Sequence, residues 1–126
     1  MSLSLSYLER LIAFKTISRD SNLDLIAFVE GELAGLGIDS QLVHDETGAK
    51  ANLYATIGPR DRPGVMLSGH TDVVPVAGQA WSSDAFALSR RANRLYGRGA
   101  ADMKGFIACC LAMAHDAARR SLAIPI

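Results

Sequence analysis

Val65-Met66-Leu67-Ser68-Gly69-His70-Thr71-Asp72 decides how this chain is read. Val65 to Ser68 is a continuous apolar run, the pattern of a strand buried on both faces. Gly69 gives the backbone room at the strand's end, where His70 is delivered. In His70-Thr71-Asp72 the alternate residues project to the same side of an extended backbone. A metal-bound imidazole usually donates its other N–H to a carboxylate, which fixes its tautomer. Asp72 has the length and position for that task. The same triplet, taken alone, also describes a hydrogen-bonded histidine with no ligand role, and both readings stand at this point.

A second stretch, Tyr96-Gly97-Arg98-Gly99-Ala100-Ala101-Asp102-Met103-Lys104-Gly105, sets a carboxylate at the start of a predicted helix. Asp102 there has two explanations. It caps the helix by accepting from free N–H groups, or its two oxygens bridge a metal pair about 3.5–4 Å apart. The second explanation requires His70 and Asp102 to converge in space.

Around these stretches the patterning is that of an α/β domain. Leu5, Leu8, Leu11 and Ile12 give a first helix over 4–15, and Thr16 to Asn22 reads as a polar turn. Leu25, Val29, Leu33 and Leu36 line one face of a second helix over 23–36, stopped at Gly37. Ser21 or Asn22 is placed to cap it. Strands are expected over 39–44 and 52–57. Gly58 to Gly64 is dense in turn formers and predicts a hairpin loop into the Val65 strand. Residues 71–84 read as a long loop, with weak edge strands at 85–88 and 94–96. The third helix is expected over 103–120, with broad apolar stripes suited to lying on a sheet. The fold expected is a mixed β-sheet flanked by helices, with the site at the strand ends. Leu122 to Ile126 reads as a loop entering a further strand, so the chain is expected to be cut short.

Composition excludes several classes. The chain has 126 residues, 49% hydrophobic and 21% charged, with 13 basic residues balancing 13 acidic ones. That is ordinary globular composition, with nothing to favour nucleic acid or a membrane surface. The N-terminus lacks a signal-peptide pattern and no apolar run is long enough to span a bilayer. The adjacent Cys109 and Cys110 make a poor disulfide pair, so a cytoplasmic location is expected, with both thiols in or near the core.

Ser68-Gly69-His70-Thr71-Asp72-Val73-Val74-Pro75-Val76, then Trp81-Ser82-Ser83-Asp84, then Leu95 to Gly105 resemble the zinc-dependent aminoacylase/carboxypeptidase family of amidohydrolases. The resemblance starts near Phe14-Lys15-Thr16-Ile17-Ser18 and covers nearly all of the chain. It departs at Ala85, where relatives often carry proline, and at Arg91-Ala92-Asn93, where they have a tighter turn.

What the resemblance implies is specific. His70 and Asp102 would be metal ligands, Asp102 bridging two zinc ions for which cobalt could substitute. Asp72 would hold His70 and count as catalytic, and the Asp102–Met103 peptide would be cis. The substrate would be a small N-acyl amino acid: N-acetylornithine, cleaved to ornithine and acetate in arginine biosynthesis. Desuccinylation of succinyl-diaminopimelate and general aminoacylase activity are the alternatives. Residues 1–126 would be the N-terminal portion of the catalytic domain, without the lid domain through which complete members form homodimers. The family's general-base glutamate has no match here. The chain alone is therefore expected to bind zinc weakly and turn nothing over, and a non-catalytic truncated product is the competing reading. Glu30, Glu32 and Glu46 read as solvated charges, Trp81 as packing over the loop leaving His70 or lining the site mouth, and Lys104 and Arg98 as cations of a salt bridge behind the site or at the surface, with holding a substrate anion as the alternative. His44 and His115 read as non-ligands, and exposed strand edges are expected to make the chain associate.

Overall fold

A computed structural model describes residues 2–126. Helix α1, Leu3–Ala13, begins at Ser2, whose hydroxyl accepts from the Leu5 N–H at 3.3 Å. Helix α2, Leu23–Gly35, ends as expected at Gly37, where φ is +73°. The Gly37 N–H reaches Ala34 O and the Ile38 N–H reaches Leu33 O, which satisfies two carbonyls the helix would otherwise leave free. Strands β1, Ser40–His44, and β2, Ala51–Ala55, pair antiparallel from Ser40 opposite Ala55 to His44 opposite Ala51. A second antiparallel pair is β3, Ser89–Arg91, and β4, Arg94–Tyr96. Ala92 and Asn93 both have positive φ in the two-residue turn between them, the geometry that lets a tight hairpin follow the strand twist. The weak strand expected at 85–88 is instead displaced to β3. Helix α3, Gly105–Ala117, follows a wide π-type turn over Ala100–Lys104.

The core is where the helical periodicities placed it. Tyr7, Leu8, Leu11 and Ile12 of α1 meet Leu25, Ile26, Val29 and Leu33 of α2, together with Ala108, Leu111 and Ala114 of α3. The small residues of α3 let α1 approach closely along it. The stripe through Phe106, Cys110 and Met113 is left partly open over a cavity. Cys109 is exposed, contrary to the expectation for both thiols, and Cys110 is half-buried.

Two expectations for the centre of the chain fail. Val65, Met66 and Leu67 are 53%, 72% and 43% exposed, not buried on both faces. The segment forms no strand, and its one backbone bond among residues 65–69 runs from the Val65 N–H to Pro125 O at 3.0 Å. An apolar run becomes a buried strand only if neighbours cover its edges and faces, and here one edge has no such neighbour. Residues 58–64 likewise do not close a hairpin. Ile57 exchanges both backbone bonds with Ile126, at 2.8 and 3.0 Å, so Pro125 and Ile126 sit between β2 and the Val65 segment.

Candidate functional site

The loop leaving Val65–Gly69 is clamped by the polar turn after α1. The Thr16 hydroxyl donates to Thr71 O at 2.6 Å. The Val73 N–H donates to Thr16 O at 2.8 Å and the Ser18 N–H to Val73 O at 3.1 Å, a short parallel bridge between Ile17 and Val73. Asn22 adds a bond from Nδ2 to the Thr71 hydroxyl at 3.2 Å. This turn was legible only as polar. Its role depends on a partner that lies more than fifty residues away in the chain.

On that loop the imidazole of His70 is held at both nitrogens. Nδ1 lies 3.1 Å from Asp72 O and 3.2 Å from Asp72 Oδ1. Nε2 lies 3.0 Å from Asp102 Oδ1. The structure therefore brings His70, Asp72 and Asp102 together. Two acceptors facing two ring nitrogens favour the doubly protonated ring. The His70 pKa is raised accordingly, first through the bond to Asp102 and with lesser help from Asp72, against some burial. Asp72 is shifted down, chiefly because the Ser18 hydroxyl donates to its Oδ2, and secondarily by the His70 charge.

Asp102 does not cap α3. Its φ and ψ of −128° and 94° are not helical, and Lys104 holds the position before the helix. The Asp102–Met103 peptide is cis, as the resemblance implied. With 87% of its side chain exposed, Asp102 offers its second oxygen to solvent beside His70.

Lys104 overturns its sequence reading. It is no surface cation: the residue is fully buried, and Nζ donates to Leu11 O at 2.9 Å and Phe14 O at 2.7 Å. A cation at the carbonyl end of α1 suits the helix dipole, and it ties the Asp102 turn to the core. Burial pulls its pKa from 10.5 down to about 8. Arg98 lies over the Trp81 ring, 5.2 Å from its centroid, and donates to Gln79. Glu32 is also not merely solvated. It accepts from the Tyr7 hydroxyl at 2.7 Å, leaving the Tyr7 oxygen to accept from His115 Nε2, also 2.7 Å away.

The fit to a divalent cation is tested by these distances. Zinc binds imidazole nitrogen and carboxylate oxygen at about 2.0–2.2 Å in a tetrahedron, so two of its ligand atoms lie roughly 3.3 Å apart. The 3.0 Å between His70 Nε2 and Asp102 Oδ1 is close to that edge. Among the described residues no group of three or more histidine, cysteine, aspartate or glutamate side chains is placed to hold a metal ion. Two candidate donor atoms, His70 Nε2 and Asp102 Oδ1, face each other here, fewer than a complete shell needs.

Known proteins resemble this chain in sequence and in fold. Residues 66–124 match the model for Peptidase family M20/M25/M40. The acetylornithine deacetylase of Photorhabdus laumondii is 44% identical over 99 residues, which cover 79% of this chain and 25% of that protein. The succinyl-diaminopimelate desuccinylase of Xylella fastidiosa is 47% identical over 83 residues, 65% of this chain and 21% of that protein. Human carnosine dipeptidase 1 shares the fold with a TM-score of 0.80 at 24% identity, over 98% of this chain and 30% of its own. The chain spans about a quarter of the length of the first two relatives. The stretch that matches this family holds His70, Asp72 and Asp102, and over it the chain is similar to the M20/M25/M40 peptidases.

Proposed function

We propose that this chain carries part of the site of a metal-dependent amide hydrolase acting on small N-acyl amino acids. The convergence of His70 Nε2 and Asp102 Oδ1 at 3.0 Å supports it most directly. In this reading His70 and Asp102 are the ligands, Asp72 holds the imidazole through Nδ1, and Ser18 holds Asp72. A bound zinc or cobalt ion would supply a water of lowered pKa and polarise the substrate carbonyl. The chain's own part is to orient His70 with its Nε2 towards the cation. To hold a cation, His70 Nε2 would have to give up to solvent the proton that now faces Asp102. The exposed second oxygen of Asp102 is free to reach a further cation.

N-acetylornithine is the substrate we favour, giving ornithine and acetate. Desuccinylation of succinyl-diaminopimelate has equal support, since relatives with both names match at similar identity. Residues 1–126 are read as a portion of the catalytic domain, working in the cytoplasm. No helix of the described residues is long and apolar enough to cross a membrane.

The test is a zinc titration followed by the ring resonances of the three histidines. His70 is expected to shift while His44 and His115 do not, with weak affinity. Asp72→Asn should weaken binding by about 10–100-fold, the usual cost of losing a carboxylate that orients a ligand histidine. His70 resonances unmoved at millimolar zinc would overturn the reading.

A further inference from the structure

His70 and Asp102 face each other at 3.0 Å although thirty-two positions of sequence separate them. Between them lie a long loop and the β3–β4 hairpin, and a flexible stretch of that length fixes no distance between its ends. The distance is fixed from elsewhere, by the residues that follow α1. One arm of the site, 70–73, is held by Thr16 and Ser18. Thr16 is only 4% exposed. Its hydroxyl donates to Thr71 O at 2.6 Å, and its carbonyl accepts from the Val73 N–H at 2.8 Å. The Ser18 N–H donates to Val73 O at 3.1 Å, and the Ser18 hydroxyl donates to Asp72 Oδ2.

The other arm, 97–104, is held by the same piece of chain. Lys104 Nζ donates to Leu11 O and Phe14 O. Gly97 lies so close to α1 that a Cβ there would come within 3.0 Å of Ile12 Cγ2. The arms also touch each other. A Cβ at Gly99 would sit 2.6 Å from Cγ1 of the buried Val73, closer than side chains pack. The Met103 sulfur accepts from the His70 N–H at 3.3 Å. Close packing transmits displacement, so freeing 71–73 from Thr16 shifts His70 against Asp102, and freeing Lys104 from Phe14 does the same from the other side. The stretch between these two anchors is itself tight, with the Ile17 N–H on Lys15 O at 2.9 Å and the Asp20 N–H on Ile17 O at 2.7 Å.

Resting on the reading of His70 and Asp102 as metal ligands, we propose that residues 14–18 form a brace that sets the separation of the two, with Thr16 as its positioning residue. Thr16 makes no bond to either side chain. It acts through Thr71 and Val73, which flank Asp72. Two ligand atoms can share one tetrahedral zinc ion only when they lie roughly 3.3 Å apart, so a drift of about an ångström between the arms takes the pair out of reach of a single cation. Loss of the Thr16 hydroxyl should weaken zinc binding by about fivefold, the equivalent of one ordinary hydrogen bond.

The experiment follows the histidine ring resonances of the 126-residue chain at fixed pH, first without metal and then with zinc. Thr16→Val keeps the side-chain shape and drops the hydroxyl, Thr16→Ser keeps the hydroxyl, and Lys104→Met frees the opposite arm while keeping most of its stem. Without metal, Thr16→Val and Lys104→Met should move the His70 ring towards its position in Asp102→Asn, and Thr16→Ser should leave it where it is in the parent. With zinc, the first two should bind about fivefold more weakly and Thr16→Ser within about twofold of the parent. Val29→Ala, a core truncation in α2 outside the brace, should lower the urea midpoint comparably and change neither readout, which separates positioning from a general loss of stability. A folded Thr16→Val or Lys104→Met whose His70 ring keeps the parent's position overturns the brace, and so does an equal shift in Val29→Ala. If Thr16→Val does not fold, Lys104→Met decides alone. A parent whose His70 ignores zinc while the metal-free shifts occur as described supports the brace and refutes the ligand reading instead.

Discussion

Replacing Lys104 tests the least expected feature of this molecule, a fully buried ammonium that holds the end of α1 beside the candidate site. Lys104→Ala removes a long stem from a site with no solvent exposure. Truncations of comparable buried side chains cost about 2–5 kcal/mol, a large share of a domain's ordinary 5–15 kcal/mol. Lys104→Met keeps most of the stem. It loses two charge-assisted bonds to Leu11 O and Phe14 O, worth about 1.5 kcal/mol each, and it also relieves the burial of a charge. The drop from 10.5 to about 8 corresponds to at most about 3 kcal/mol. The two effects nearly offset, so Lys104→Met should fall within about 1 kcal/mol of the parent at neutral pH.

The pH dependence separates charge from packing. The folded pKa lies below the unfolded one, so the unfolded chain binds more protons between them. Stability from this group is therefore lost as pH falls through about 8 and is fully present only above 10.5. Urea unfolding followed by circular dichroism at several pH values should show the parent gaining on Lys104→Met across that window. Shifts at Tyr7 and Cys110 are common to both proteins and cancel in the difference. Parallel profiles for the two, or a Lys104→Ala variant as stable as Lys104→Met, would refute the reasoning.

Other consequences are open to direct measurement. The ring proton titration of His70 should have its midpoint above the ordinary 6.5 and move down in Asp102→Asn, since the Asp102 bond is the leading cause of the shift. The raised His70 pKa favours folding below 6.5 and that contribution fades as pH rises through its folded value, whereas the depressed Asp72 pKa favours folding above 3.8 and is lost on acidification. The pair is thus fully engaged between those limits, and a His70→Gln variant should lose the alkaline part of this dependence. Tyr7→Phe removes the bonds to Glu32 and His115 and should cost about 1 kcal/mol in urea midpoint analysis. Because the Tyr7 pKa is pushed up to about 12, chiefly by burial, the parent should lose stability above pH 10 relative to this variant.

The sequence by itself determined whatever local physics controls. Helical spacing gave the faces of α1 and α2 that form the core, and a glycine with positive φ marked where α2 stops. The spacing of His70 and Asp72 also sufficed, because two residues apart on an extended chain is already a geometric statement. Tertiary structure decided the rest. Asp102 read first as a helix cap, and only the wide turn at 100–104, which points it at His70 and leaves Lys104 before the helix, removes that reading. Lys104 read as a surface charge because no local rule sees the carbonyls of Leu11 and Phe14, more than eighty residues earlier. The apolar run at Val65 announced a buried strand, yet burial belongs to the neighbours of a strand and not to its residues. Among residues 65–69 only Val65 makes a backbone bond, to Pro125, and the run stays exposed.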